Sequence, residues 1–434
     1  MKKILISLIT VGIIGIIITI YIMRPIKVNK ILYITNEKEI TAVIELNGYL
    51  KNSICTYNEI TNKIEDNTCK ITVPNEETEI TVKTKFHTKK IVLNPNINKV
   101  VDITLNTEEI YLKTNEEKEI KVSLDKLGSP EENITLISND ETIVKTENNK
   151  IIGIGSGQAK VIVKIEDISK EIDVTVTDLI TTPIWKGQDK SLLPCNIYTE
   201  EEAALLDKYL EYEIQNAGYQ TRAGAVAAAR FLTLEFKYRI PYFYENGRIN
   251  NTGVHKADGE GRYYKKGLYL SESKKNDIIA SWKGPAIWGC PLRNLEDEPQ
   301  YGFIMGAMKP NGLDCSGFVS WTLVQAGFDP GDVGAGESEG YQLTDTGNFT
   351  RLSKSLLDSG KIKVGDLFNY WGHISILIGI NGDDLYIAES LPPKKFDGVT
   401  VKHYTKSNVM NTFDYVVLMD DFYKEDGNLT NYWE

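Results

Sequence analysis

The stretch Leu313-Asp314-Cys315-Ser316-Gly317-Phe318-Val319-Ser320-Trp321 decides how the C-terminal half of this chain folds. It reads as the start of a helix. Asp314 is a good N-cap, and Phe318, Val319, Thr322, Leu323 and Ala326 recur at helical spacing until Gly327 stops the run. Cys315 then lies in the first turn, where unpartnered backbone N–H groups and the positive end of the helix dipole favour a thiolate. The same N–H groups suit an oxyanion formed after attack on a carbonyl. A thiol nucleophile also needs a base, and Gly372-His373-Ile374-Ser375-Ile376 supplies one in His373. The plain alternative is a capped helix carrying a buried cysteine.

Working outward, the chain of 434 residues is long enough for about two to four domains. An apolar fraction of 41% builds real cores and excludes a disordered polypeptide. The net charge of −11 argues against nucleic acid as a partner, because the phosphate backbone selects clustered Lys and Arg. Of five cysteines, Cys55 and Cys69 lie close enough to pair, while Cys195 and Cys290 stand apart. The odd count leaves at least one thiol outside any disulfide, with Cys315 the candidate. No zinc or other metal site is expected: there is no C-x-x-C or H-x-x-x-H, and the four histidines (His87, His255, His373, His403) are scattered.

At the N-terminus, an apolar run from Ile4 to Met23 follows Lys2 and Lys3 and has the length to cross a hydrocarbon core of roughly 30 Å. Residues 1–24 therefore read as an uncleaved signal anchor, a transmembrane helix with the bulk of the chain outside the cell; a long cleaved signal is the alternative. Residues 28–105 alternate apolar and polar positions between Asn-Gly, Pro-Asn and Asn-Pro turns, the pattern of an all-β module. A second all-β module spans residues 106–178. Residues 179–199, with Pro183 and Pro194, read as a linker. Beyond it, Glu200 to Ala217 is an amphipathic helix with Ala204, Leu205, Tyr209, Tyr212 and Ile214 facing a core, and Thr221 to about Tyr238 is an alanine-rich second helix. Residues 424–434 read as a frayed tail.

Two resemblances add to this reading. Residues 136–165 carry Ser138-Asn139-Asp140, Asn149-Lys150-Ile151-Ile152-Gly153 and Gly157-Gln158-Ala159-Lys160-Val161, and resemble the bacterial immunoglobulin-like domains of surface proteins. Such a module is expected to be a β-sandwich spacer. Residues 200–423 resemble the NlpC-type cell-wall endopeptidases. The carriers are Arg239-Ile240-Pro241-Tyr242-Phe243-Tyr244, Gly312-Leu313-Asp314-Cys315-Ser316-Gly317-Phe318-Val319, and Val364-Gly365-Asp366-Leu367-Phe368 with Gly372-His373-Ile374-Ser375-Ile376-Leu377-Ile378-Gly379. Together these readings give a multidomain fold: a transmembrane helix, two all-β immunoglobulin-like modules, then the α+β papain-like catalytic domain that the second resemblance implies.

It implies Cys315 as nucleophile and His373 as base, with Glu389 in the place of the polar residue that orients the imidazole. Tyr242, Asp314 and Ser316 would border the cleft. His373 would open a strand whose Ile374, Ile376 and Ile378 enter the core while the imidazole faces the cleft. A competing match for the tyrosine stretch is Gly284-Pro285-Ala286-Ile287-Trp288-Gly289-Cys290. Three departures stand out: Tyr244-Glu245-Asn246-Gly247 stands where the family has Trp-Gly-Gly, Glu389 replaces the histidine usual in the family, and residues 248–310 form a long insert, expected to be a lid or specificity wall. Within it, Asp258-Gly259-Glu260-Gly261 lacks the ligand count of a calcium loop. The implied activity is hydrolysis of peptidoglycan stem peptides at the D-γ-glutamyl–diamino acid bond, with no cofactor and with peptidoglycan and the membrane as partners. The alternatives are a catalytically impaired surface adhesin or wall-binding protein, and a related amidase or acyltransferase.

Overall fold

The computed structural model describes residues 14, 23–181, 190–243, 266–271, 282–295, 297, 304–330, 334–336, 341–393 and 398–430. The chain forms two compact units, Met1–Val176 and Thr177–Glu434.

The first unit is all β, because its alternating residues can bury only one face of each strand. In its first part, the sheet of Lys27–Asn36, Glu39–Asn47 and Thr68–Val73 shares a core with the sheet of Ile60–Lys63, Ile54–Tyr57, Thr78–Lys83 and Thr88–Leu93. Ile40, Ala42, Ile44 and Leu46 enter that core from one strand, and Ile80 and Val82 from the other sheet. Cys55 and Cys69 are joined there by a disulfide. In the second part, the sheet Thr135–Ser138, Gly157–Ile165, Ile168–Thr177 and Glu109–Lys113 closes over Val100, Ile110, Val144 and Ile151. Val161, Val163 and Ile165 point inward from one strand and meet Ile172, Val174 and Val176 from the next.

The second unit is framed by a six-stranded sheet. Its order is Asn348–Arg351, Tyr415–Leu418, Leu367–Tyr370, His373–Asn381, Asp384–Leu391, Gly398–Thr405, antiparallel throughout. The helices Arg222–Arg230 and Cys315–Gln325 pack on the strand His373–Asn381, and Glu200–Ala217 packs on Arg222–Arg230.

This corrects the expected fold class. Among the described residues of the whole chain more than twice as many lie in strands as in helices, so the chain is mostly β-sheet, in place of the expected fold class with its α+β papain-like domain. No described helix is long and apolar enough to cross a membrane; residues 1–13 and 15–22, on which the expected anchor falls, lie outside the described residues.

Smaller expectations also change. The helix Glu200–Ala217 buries Ala203, Leu206, Tyr209, Leu210 and Ile214, not Ala204, Leu205 and Tyr212. Its start is fixed by a capping box between Thr199 and Glu202. The alanine-rich helix ends at Arg230 and passes into a π-turn over Phe231–Glu235, where the Thr233 hydroxyl donates to the Ala229 carbonyl. The described parts of the segment 179–199 are tied down: Ile180 bridges Phe236, Leu192 bridges Arg239, and Cys195 forms a disulfide with Cys290. The tail is anchored as far as Thr430. The Arg222 and Ala223 N–H groups donate to the Glu425 and Asp426 carbonyls, and Arg230 reaches Thr430.

Candidate active site

Cys315 begins its helix as the sequence implies. The Asp314 carboxylate accepts the Gly317 N–H at 2.7 Å, and the Ser316 hydroxyl donates to the same oxygen at 3.1 Å. Asp314 and Ser316 thus build the cap that presents the thiol. Three neighbours hold the approach to Cys315. The Leu313 N–H donates to the Pro241 carbonyl at 3.0 Å, and the Ser390 hydroxyl donates to the Leu313 carbonyl at 2.6 Å. Asn311 exchanges backbone hydrogen bonds with Gly289 and Cys290. Gly312 is required here, since a Cβ would stand 1.8 Å from the Pro241 oxygen.

Both tyrosine-stretch candidates therefore border the nucleophile. Half-buried Tyr242 follows Pro241, while buried Trp288 packs edge-on to Trp321 of the cysteine helix at 5.8 Å. Residues 244–247 lie outside the described residues. So does the Asp258–Gly261 stretch. Part of the described insert is core, with Leu268, Tyr269, Ile287 and Trp288 buried and the Trp321 indole N–H donating to the Gly267 carbonyl at 3.1 Å, while Ile304, Met305 and Met308 are exposed.

His373 opens its strand directly after a two-residue hairpin loop, Trp371-Gly372, with Tyr370 and His373 as the closing pair. Gly372 takes φ +78°, a conformation costly for any side chain. Its carbonyl oxygen lies 3.9 Å from Cys315 Sγ, which brings the thiol to within one peptide of the histidine. His373 Nε2 lies 2.7 Å from Glu389 Oε2, and both side chains are buried. Glu389 Oε1 faces the Tyr404 hydroxyl and the Lys402 ammonium, each at 3.5 Å. Burial and the neighbouring Glu389 charge push the Tyr404 phenol above its ordinary range, so it remains a donor.

The expectation that the imidazole opens onto a cleft is corrected. The strand His373–Asn381 is internal to the sheet and covered on both faces, leaving His373 3% exposed and stacked on Tyr370 at 4.8 Å. Cys315 is 7% exposed. The Asn369 amide holds the hairpin by donating to the carbonyls of His373 and Ala335.

Sequence reasoning missed a second set of charges, which supports the site from behind. Arg222, wholly buried at the start of its helix, pairs with Asp366 at 2.7 Å, Asp420 at 2.5 Å and Asp426 at 2.9 Å. Burial opposes the guanidinium charge, but Asp366 holds its pKa above the ordinary value. Gly365 and Asp366 bond in turn to Leu377 of the histidine strand. The pairing of Cys195 with Cys290, unforeseen because 95 residues separate them, closes the same wall beside Asn311. The two disulfides suit an oxidising compartment outside the cytosol.

No known family model and no curated protein matches the chain. Among solved structures, it is similar to domains 4 and 5 of the S-layer protein SbsC, at 15% identity over 23% of this chain and 65% of that one, with a TM-score of 0.18. A longer SbsC structure is 11% identical over 35% of this chain and 27% of that one (TM-score 0.19). Extracellular domains 3–5 of Drosophila OTK are 10% identical over 34% and 62% (TM-score 0.20). The chain thus covers less than two thirds of each of these structures. None of these three structures is described as a hydrolase, so the hydrolase, thiol-protease and NlpC-type character expected from the residues finds no match among them.

Proposed function

We propose that the second unit is a cysteine-dependent hydrolase acting on peptide bonds of the cell wall, with Cys315 as nucleophile, His373 as general base and acid, and Glu389 as the residue that orients the imidazole. The observation that carries this reading is the buried pair of His373 Nε2 and Glu389 Oε2 at 2.7 Å, one residue from the carbonyl that Cys315 Sγ touches. A carboxylate accepts only, so Nε2 carries the ring proton and Nδ1 keeps its lone pair. Nδ1 takes the thiol proton, the thiolate adds to the substrate carbonyl, and backbone N–H groups at the helix start face the oxyanion. The imidazolium, stabilised by Glu389, protonates the leaving amine. Water then adds to the acyl-enzyme, giving its proton to Nδ1, and the thiol is released as the carboxylic acid forms.

The resemblance of residues 312–319 and 364–379 to cell-wall endopeptidases supports peptidoglycan stem peptides as the substrate class and the D-γ-glutamyl–diamino acid bond as the target. The test is digestion of purified wall fragments by the full chain and by its Cys315→Ala variant, read by product mass. New amine and carboxylate termini from the parent protein alone support the hydrolase; fragments joined to an added amine mark an acyltransferase. Unchanged fragments with undiminished wall binding by both proteins replace it with a wall-binding protein.

A further inference from the structure

Glu389 is 1% exposed, and a carboxylate so buried is costly unless its charge is met. One oxygen is taken, since Oε2 lies 2.7 Å from His373 Nε2. A neutral imidazole donates a hydrogen bond there but leaves the negative charge unbalanced. What faces the other oxygen therefore matters. Glu389 pairs in register with Thr400, so Lys402 and Tyr404 on that neighbouring strand share its face of the sheet. The Lys402 ammonium and the Tyr404 hydroxyl each lie 3.5 Å from Oε1. Among the described residues, the titratable groups facing Glu389 are thus His373 from one neighbouring strand and Lys402 and Tyr404 from the other, with Tyr370 stacked on the imidazole.

We propose that Lys402 is a positioning residue of the Cys315–His373–Glu389 site: its ammonium balances the Glu389 carboxylate, so that the imidazole rests neutral and free to take a proton at Nδ1. This rests on the hydrolase reading above. A resting site of thiol, neutral imidazole, carboxylate and ammonium carries no net charge. Moving the proton from Sγ to Nδ1 makes a thiolate and an imidazolium and leaves the sum unchanged. Without Lys402 the resting site holds a buried, unbalanced negative charge, which a proton taken from water at Nδ1 relieves. An imidazolium at rest is no base. Tyr404 does not replace the lysine, because its hydroxyl stays protonated and offers Oε1 a dipole in place of a charge. With its side chain 39% exposed, Lys402 is partly screened by water, so its effect on the site is graded.

The test is the pH profile of kcat/KM on a wall peptide for the parent chain, Lys402→Met and Lys402→Arg. Lys402→Met is expected to move the acidic limb to higher pH by about 0.5–1 unit, with KM unchanged. Lys402→Arg keeps the charge and should return the limb to the parent's position. An unmoved limb in Lys402→Met overturns the proposal. So does a raised KM at an unmoved limb, which makes Lys402 a contact for the substrate. A second readout needs no turnover: the NMR titration of the His373 ring in the full chain carrying Cys315→Ala, its signals assigned through His373→Gln. Its midpoint should rise when Lys402→Met is added, and a midpoint that stays in place overturns the proposal. If the parent protein cleaves no wall peptide, the hydrolase reading fails, while the titration still judges Lys402.

Discussion

The hydrogen bond between His373 Nε2 and Glu389 fixes which ring nitrogen carries the proton, and therefore which one can take it from a thiol. Glu389→Ala leaves a buried N–H without its acceptor and frees the ring to adopt the other tautomer. The expected result is a loss in kcat/KM of about 10²- to 10⁴-fold on wall peptides, with the melting temperature checked alongside. Glu389→Gln can still accept through its amide oxygen but brings no charge to the imidazolium. It should cost roughly tenfold, since charge-assisted hydrogen bonds are about twice as strong as neutral ones. Equal activity in all three proteins would remove Glu389 from the mechanism. Cys315 and His373 were legible because their signals are local: a cap four residues long, and a histidine at a strand start. Glu389 emerged as the one suitable side chain on the next strand. Lys402 and Tyr404 were not legible, because only the register of Asp384–Leu391 with Gly398–Thr405 places them on the far oxygen of Glu389.

Among the elements, the helix Arg222–Arg230 shows why spacing alone could not reveal the support of the site. Arg222 gathers aspartates 144, 198 and 204 residues away, a cluster no sequence window contains. In the sequence Asp366 reads only as part of a Gly-Asp-Leu motif. Replacing Arg222 with Met leaves the buried Asp366 carboxylate without its cation, so a loss of about 3–5 kcal/mol is expected from the urea midpoint. Adding Asp366→Asn to that variant should cost less than the sum of the single changes, because the stranded charge is gone. Strict additivity would mean the pair does not act as one.

The segment after residue 189 makes a pH prediction. Burial pulls the Lys190 ammonium from 10.5 down to about 7, partly offset by Glu235, and its Nζ donates to the Phe236 carbonyl. Between pH 7 and 10.5 the unfolded chain binds a proton that the folded one has shed, so folding stability rises with pH across that window. Melting temperatures taken from pH 7 to 9 should climb in the parent protein and climb less in Lys190→Met. The same slope in both would show that Lys190 does not titrate in folding.

At the scale of the whole chain, the shift from strand alternation to helical spacing near residue 180 was visible in the sequence, and it matches the division into two compact units at Val176 and Thr177. Each unit has its own core and its own disulfide, which makes their stabilities separable. Cross-linking removes conformational freedom from the unfolded chain, and more of it for a longer loop. The 14-residue separation of Cys55 and Cys69 is worth about 3 kcal/mol on that basis, and the 95-residue separation of Cys195 and Cys290 roughly 4–5 kcal/mol. Scanning calorimetry of the full chain should resolve two transitions. Changing Cys55 and Cys69 together to Ser should lower one, and changing Cys195 and Cys290 together should lower the other by more. The second pair has a further consequence, because Cys290 bonds through its backbone to Asn311, four residues before the nucleophile. Its loss should reduce turnover at temperatures well below the melting transition, whereas loss of the first pair leaves turnover as it was. If both double variants shift the same transition, the two units fold as one, and the wall beside Cys315 does not depend on its own cross-link.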